Sequence, residues 1–364
     1  MLERLTIVST TASRALAERI VALLQPHYTY PLQVSLLIKR FADGEIDLRY
    51  ESNIRGTDLF IVGAICPPNC NDALMELLLA IDAAKRASAG RVTAIIPYFG
   101  YARQDRKSAS RTPISAKLVT DLLIAAGVDR VVVQDIHAAQ IQGFFPSTVP
   151  FDHISGYFVF TESIMAMFQR IQDKLVVVSP DAGGAARSRQ LASLLHAELA
   201  IVDKRRVVAN QCDVMNVIGD VAGKVCLIYD DMVDTARTLV KAAQALKEKG
   251  AHMVYACASH AVLSGEASER IRDSCIDGII FSDSISLTRE AKEILGKKVT
   301  VISGDFMFYR CIQCIHNNTS LGESLDQLRE GFVSQRVEVD QQFYIDRGGV
   351  PLSRSHCTTP KLSV

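Results

Sequence analysis

One feature constrains the fold more than any other: short, continuous apolar runs alternate with segments whose apolar residues recur at helical spacing. Val92 to Ile96 is one such run and Val131 to Val133 another. A strand that is apolar along its length must be buried on both faces, as a central strand of a parallel sheet is. Between these runs, Ser115 to Ala126 carries Leu118, Val119, Leu122 and Leu123 at helical spacing, and Gly127 stands where a helix C-cap belongs. Ala15 to Leu24 likewise gathers Leu16, Ile20, Leu23 and Leu24 on one face. The rhythm then restarts. Leu175 to Val178 reads as a strand ending in Ser179-Pro180-Asp181-Ala182-Gly183-Gly184. Val225 to Tyr229 reads as another, ending in Asp230-Asp231, with a helix from about Arg237 to Lys249 stopped by Gly250. The expectation is an α/β fold with mostly parallel sheets flanked by helices.

A chain of 364 residues makes two domains the natural division. Pro146-Ser147-Thr148-Val149-Pro150 marks the expected boundary, giving residues 1–150 and 151–318. Periodicity fades from about residue 330, so 319–364 is expected to be an extension, partly disordered. Lys+Arg and Asp+Glu both number 40, so no bulk charge draws the chain to nucleic acid or an acidic membrane. Any anionic ligand has to be held by local groups. No apolar stretch approaches the ~20 residues that span a bilayer. The first residues have neither the basic start nor the long apolar core of a signal peptide. The nine cysteines lack regular spacing, which argues against a disulfide framework and for a reducing compartment. Cys66 with Cys70 and Cys311 with Cys314 lack a second pair at zinc-site spacing. The expected location is the cytoplasm.

In open α/β sheets, ligands bind beyond the carboxyl ends of the strands. The sharpest candidate is Asp230-Asp231-Met232-Val233-Asp234-Thr235-Ala236-Arg237-Thr238. Here the chain leaves a strand, places three carboxylates and enters a helix. Backbone amides at such a start, with Thr hydroxyls, can cradle a phosphate. Carboxylates just before it can accept hydrogen bonds from sugar hydroxyls, so the segment suits a ribose phosphate. An ordinary capped helix after a solvated acidic turn would use the same residue types. There is no Walker A loop.

Six segments now bear on identity: Phe41-Ala42-Asp43-Gly44-Glu45; Pro97 to Lys107; Asp135 to Phe145, with His137; Ser179 to Gly184; Asp203-Lys204-Arg205-Arg206; and Asp230 to Thr238. In this order and spacing, over roughly residues 5 to 318, the chain resembles the ribose-phosphate diphosphokinase family. The resemblance implies two similar phosphoribosyltransferase-like domains, Mg²⁺, and a homo-oligomer, hexameric or otherwise built from dimers. The implied reaction moves the diphosphoryl group of ATP to the 1-hydroxyl of ribose 5-phosphate for nucleotide synthesis. ATP is implied against Phe41, Asp43, Gly44, Glu45, Arg103 and Gln104. Metal is implied at His137 and Asp181. Ribose 5-phosphate is implied at Arg206, Asp230, Asp231, Asp234, Thr235, Ala236, Arg237 and Thr238, and catalytic roles at Lys204 and Arg206. Asp135, two residues before His137, is placed to orient it.

Each segment also has a plainer reading. Asp43-Gly44-Glu45 could be a turn, Arg103 to Lys107 a solvated charge run, and Lys204 to Arg206 a basic turn. The alternative function is a non-catalytic regulatory subunit of the same family. Two departures stand out. The family usually has Gly at the position of Arg237. After Ile315-His316-Asn317-Asn318 it usually continues Ser-Val-Ser-Tyr-Leu-Phe, where this chain has Ser320-Leu321-Gly322-Glu323-Ser324-Leu325.

Overall fold

The structure, a computed structural model, describes residues 4–205 and 214–334. Arg206 and the tail beyond 334 therefore lie outside the described residues. The strands are β1 (Leu5–Ser9), β2 (Leu36–Arg40), β3 (Ile46–Tyr50), β4 (Asp58–Val62), β5 (Arg91–Ile96), β6 (Arg130–Gln134), β7 (Phe151–Ile154), β8 (Leu175–Ser179), β9 (Glu198–Arg205), β10 (Val214–Ile218), β11 (Val225–Val233), β12 (Met253–Ala261), β13 (Gly278–Ser282) and β14 (Val299–Ile302). The helices are α1 (Arg14–Leu24), α2 (Cys70–Arg86), α3 (Ser115–Ala126), α4 (Tyr157–Phe168), α5 (Ala185–Leu195), α6 (Arg237–Glu248), α7 (Ala267–Arg272), α8 (Arg289–Leu295), α9 (Asp305–His316) and α10 (Leu321–Ser334). No helix among the described residues is long and apolar enough to cross a membrane.

Two open sheets carry the molecule. The first runs β1-β4-β5-β6-β7, parallel throughout; the second runs β10-β9-β8-β11-β12-β13-β14, parallel except for the antiparallel β9–β10 pair. The first sheet continues through β7 to Ile154, four residues past the sequence boundary at 150. The Pro-flanked segment is thus the connection into that edge strand.

Strand by strand, alternate side chains go to different cores. In β4, Leu59 and Ile61 meet the layer under α2 and α3, whereas Phe60 and Val62 face a second layer. In β11, Cys226 and Ile228 meet α6 and α7, whereas Val225, Leu227 and Tyr229 face that same second layer. The second layer is common to both halves. It holds Phe60, Ile95 and Val132 of the first sheet, Val177 and Tyr229 of the second, and Phe160 and Phe308 of the helices between them. Fully burying such a side chain is worth about 1.5–3 kcal/mol, so separating the halves would expose much of that stabilisation. This is why the strands read as continuous apolar runs: neither face of either sheet is free.

Helix α3 ends where the sequence expects. Gly127 caps α3 at φ 97, a left-handed conformation that glycine adopts without a Cβ clash. Thr288 caps α8 by accepting the Ala291 amide at 3.1 Å. One expectation is corrected. Val119 and Leu123 are buried, but Leu118 is 58% and Leu122 39% exposed. A helix seated on a sheet buries one stripe, and these two lie about 100° round from it.

Polar contacts fasten the shared layer. Asp58, fully buried at the start of β4, takes both arms of Arg91 at 2.7 and 2.6 Å. Arg91 also donates to the Ile315 carbonyl at 2.8 Å, and His316 Nδ1 meets Asp58 at 2.7 Å. The carboxyl end of α9 is thereby tied to the first sheet. Burial works against the Asp58 charge, but His316 and Arg91 together hold its carboxyl below the usual carboxylate range. A depressed folded-state pKa means its contribution is present above the ordinary Asp pKa of about 4 and is lost as pH falls below that value. Removing one partner of a buried pair costs about 3–5 kcal/mol, because the other is left uncompensated. We expect Asp58→Ala to lower stability by at least about 3 kcal/mol at neutral pH, read by denaturant unfolding, with a smaller difference from the parent protein at pH 3. A loss under about 1 kcal/mol at neutral pH would remove the clasp from the account.

Candidate functional site

The second sheet contains the one place, among the described strands, where its winding reverses. From β8 the chain goes to β9 on one side, while β11 lies on the other. Loops leaving the carboxyl ends of β8 and β11 must therefore diverge, and a crevice opens between them. Into it project two segments singled out by sequence: Pro180–Gly184 after β8, and Asp234–Ala236 between β11 and α6. The tip of β6, with His137 just beyond, approaches from the first half.

The β11 ladder runs further than the apolar pattern indicates. It stays paired with β12 through Val233↔Ala261, so Asp230 and Asp231 are strand residues. Asp231 is 5% exposed, whereas Asp230 is 34% exposed and is the member of the pair open to a ligand. Arg187 on α5 serves both, at 2.7 Å from Asp231 and 3.6 Å from Asp230, and also lies 3.6 Å from Asp135. His137 donates from Nδ1 to the second oxygen of Asp231 at 2.8 Å. Burial opposes the Asp231 charge, but His137 and Arg187 hold its carboxyl far below normal. Burial and the neighbouring Asp231 charge push Asp230 the other way. The hydrogen bond to Asp231 raises the His137 imidazole. With Nδ1 engaged, Nε2 is the nitrogen left to meet a metal or substrate; an acid behind the ring is the usual way a ligating histidine is oriented.

That acid is Asp231 and not Asp135, which corrects the sequence expectation. β6 ends at Gln134 and Asp135 adopts φ 43, so the two-residue strand period does not carry to His137. Asp135 turns inward. It accepts from Ser259, and its carbonyl accepts from His260 Nε2 at 3.1 Å. Gly156 permits this approach: a Cβ there would fall 2.1 Å from Ser259 Oγ and 2.4 Å from Asp135 Oδ2.

The turn into α6 has the form an anion needs. Ala236 precedes the helix at φ 59, ψ 2, and Val240 N–H makes the first helical bond back to Ala236 at 3.0 Å. The amides before it have no helical acceptor. Thr235, Arg237 and Thr238 are exposed. The left-handed residue is thus Ala236, whereas Arg237 is already helical and makes no demand for glycine. Asp234 is paired at 2.5 Å with Arg103 Nη1, so a residue expected on the ATP side touches the ribose-side loop.

The remaining candidates are dispersed. Asp181 is exposed and accepts the Gly184 amide at 2.8 Å on the loop beside the crevice. Gln104 accepts from Ser115 Oγ at 2.6 Å at the start of α3. Phe41 to Glu45 form the exposed tip of the β2–β3 hairpin, their described hydrogen bonds staying within it, and Gly44 at φ 95 makes the turn. Lys204 lies on β9. Sequence reasoning missed Arg187. Its only signal is indirect: acids as buried as Asp135 and Asp231 require a cation.

A family model described as the N-terminal domain of ribose phosphate pyrophosphokinase matches residues 5–127, and one described as a phosphoribosyl synthetase-associated domain matches 196–326. A ribose-phosphate pyrophosphokinase of Chromobacterium violaceum is 48% identical over 323 residues, 88% of this chain and 94% of that protein. One from Vibrio parahaemolyticus is 52% identical over 286 residues, 78% of this chain and 88% of that one. A crystal structure of phosphoribosylpyrophosphate synthetase from Mycobacterium smegmatis superposes with TM-score 0.78 at 36% identity, covering 87% of this chain and all of that one (100%).

Arg187, set among Asp135, Asp230 and Asp231, forms a charge hub. Arg187→Gln should destabilise the protein by about 2–3 kcal/mol, since the acids around it lose their counter-charge. In an Asp231→Asn background the same change should cost at least about 1 kcal/mol less. A double-mutant cycle by denaturant unfolding measures this, and strict additivity would dissolve the hub into independent contacts.

Proposed function

The chain belongs to the ribose-phosphate pyrophosphokinase family, and we propose that the crevice between β8 and β11 is where it carries out the family's reaction. The enzyme transfers the diphosphoryl group of ATP to the 1-hydroxyl of ribose 5-phosphate, giving 5-phosphoribosyl 1-diphosphate and AMP for nucleotide synthesis. The hydroxyl oxygen bonds to the β-phosphorus as the bond from that phosphorus to the AMP oxygen breaks. Such transfer depends on positioning and charge neutralisation rather than covalent help from the protein.

One observation carries the assignment of the site: a left-handed turn into α6 presents unpaired amides beside the partly exposed Asp230. The amides and hydroxyls of Thr235 to Thr238 receive the 5-phosphate, and Asp230 and Asp234 accept the ribose hydroxyls. Asp231, engaged by His137 and Arg187, belongs to this group as the residue that positions its neighbours. Arg103 and Gln104 bind ATP, with the Arg103–Asp234 pair supporting a meeting of the two substrates there. Phe41, Asp43, Gly44 and Glu45 complete the ATP set. Lys204, with Arg206, neutralises charge on the group in transit.

Diphosphoryl transfer generally needs a divalent metal, and we assign Mg²⁺. Among the described residues no three or more His, Cys, Asp or Glu side chains group as a cage. An imidazole oriented through its far nitrogen and an exposed carboxylate still fit an ion held chiefly by substrate phosphates, as Mg²⁺ commonly is. His137 and Asp181 would hold it. The bound ion supplies charge neutralisation at the phosphate oxygens. The apolar Met75 on α2 and Leu118 and Leu122 on α3, all exposed, support assembly of several copies. The cytoplasm is the compartment we assign.

Incubation with ATP, ribose 5-phosphate and Mg²⁺ should yield AMP and the 1-diphosphate in equal amounts. Exhaustive chelation should abolish the reaction and added Mg²⁺ restore it. Full activity after chelation, or no AMP with both substrates present, would overturn the corresponding assignment. Arg237→Gly should leave KM for ribose 5-phosphate within about threefold, below ~0.7 kcal/mol, because Arg237 is helical and exposed. A tenfold rise in steady-state KM would make the guanidinium a direct phosphate ligand.

A further inference from the structure

The turn that receives the phosphate is held from behind. Ala236 sits in the left-handed region, which costs a non-glycine residue about 1–2 kcal/mol. Such a conformation persists only where its surroundings over-determine it. The surroundings are one short segment following β12. Leu263 N–H donates to the Val233 carbonyl at 3.0 Å, and Ser264 N–H to the Asp234 carbonyl at 3.0 Å. Arg270 then donates from Nη1 to the Thr235 carbonyl at 3.0 Å. Three consecutive carbonyls of the turn are thus clamped, the third by a side chain.

Arg270 is well placed for this. Its helix α7 is pinned by Ala267 and Ile271, both fully buried. Its other arm is held by Glu266 at 2.7 Å, one turn earlier on the chain. The guanidinium's planar fork lets one side chain serve both partners with little further ordering.

Resting on the ribose 5-phosphate assignment above, we propose that Arg270 is a positioning residue for that substrate. In a trans peptide the carbonyl and the following N–H point in opposite directions. Drawing the Thr235 carbonyl toward α7 therefore turns the Ala236 N–H the other way, toward the crevice, and fixes the sense of the turn from which α6 starts. Without that anchor the Thr235–Ala236 peptide is free to flip, which relieves the left-handed Ala236 and removes an amide from the phosphate. Arg270 touches no reacting atom; its effect is confined to the substrate this turn receives.

The test uses full-length Arg270→Ala in steady-state assays. KM for ribose 5-phosphate should rise at least about tenfold, the order of one lost charge-assisted contact, with KM for ATP within about twofold. Ala236→Gly added to Arg270→Ala should recover about three- to fivefold of that rise, since glycine adopts the left-handed conformation without the Cβ penalty. Arg270→Lys, with one terminal nitrogen to serve both Thr235 and Glu266, should show a smaller rise of about threefold. A merely structural arginine would raise both KM values or lower kcat alone, and Ala236→Gly would not rescue it. The assignment is overturned by an unchanged ribose 5-phosphate KM in Arg270→Ala, by a parallel rise for ATP, or by no rescue. If the alanine variant does not fold, an unchanged KM in Arg270→Lys overturns it. Failure of the parent protein to turn over ribose 5-phosphate at all is a separate result, which removes the substrate assignment itself.

Discussion

The burial of both sheets against one shared apolar layer is the constraint on which the rest of this structure depends. Phe60 and Val132 from one side, and Val177, Leu227 and Tyr229 from the other, meet the same helices. A strand with both faces buried has only its ends free. Chemistry is therefore confined to the carboxyl ends of the strands, and the shared layer brings the tip of β6 near those of β8 and β11. Were the halves joined only by a flexible linker, His137 could not be held against Asp231 across 94 positions of sequence.

At that junction charge has to be balanced before any ligand arrives. Asp135, Asp230 and Asp231 come from both halves, and Asp135 and Asp231 are almost wholly buried. Arg187 lies against all of them, His137 engages Asp231, and Ser259 engages Asp135. Asp230, partly exposed and lightly served, keeps acceptor capacity for a substrate. Arg103 on Asp234 repeats the arrangement at the mouth of the crevice. The two substrates and a divalent ion would enter a site whose fixed charges are already paired. Binding then exchanges partners and does not create isolated charges in a low-dielectric setting.

Much of this was legible in the sequence because burial on two faces writes itself as continuous apolar runs. β5, β6 and β8 follow those runs to within a residue at each end. The turn into α6 was legible because Thr, Asp and a following amphipathic helix are local signals. What failed was long-range. Leu118 and Leu122 share the helical spacing of Val119 and Leu123, and only the orientation of α3 on its sheet decides which pair is buried. Asp230 and Asp231 look like a strand end, yet pairing with β12 carries the ladder past them. Asp135 looked like the partner of His137 until its left-handed backbone turned it away. Arg187 and Arg270 act through contacts 43 or more and 35 positions distant, respectively, and no local pattern marks either residue. The substitution at Arg237 drew notice to one position, while the strain sits one residue earlier, at Ala236.

The central claim is that the ribose phosphate lies in the crevice at the carboxyl ends of β8 and β11. A crystal structure of the protein with ribose 5-phosphate bound tests this most directly. The account predicts the phosphate on the amides of residues 236–238 at the start of α6, with the ribose hydroxyls toward Asp230. A phosphate seated elsewhere, with the turn at Ala236 unoccupied at saturating ligand, would contradict it.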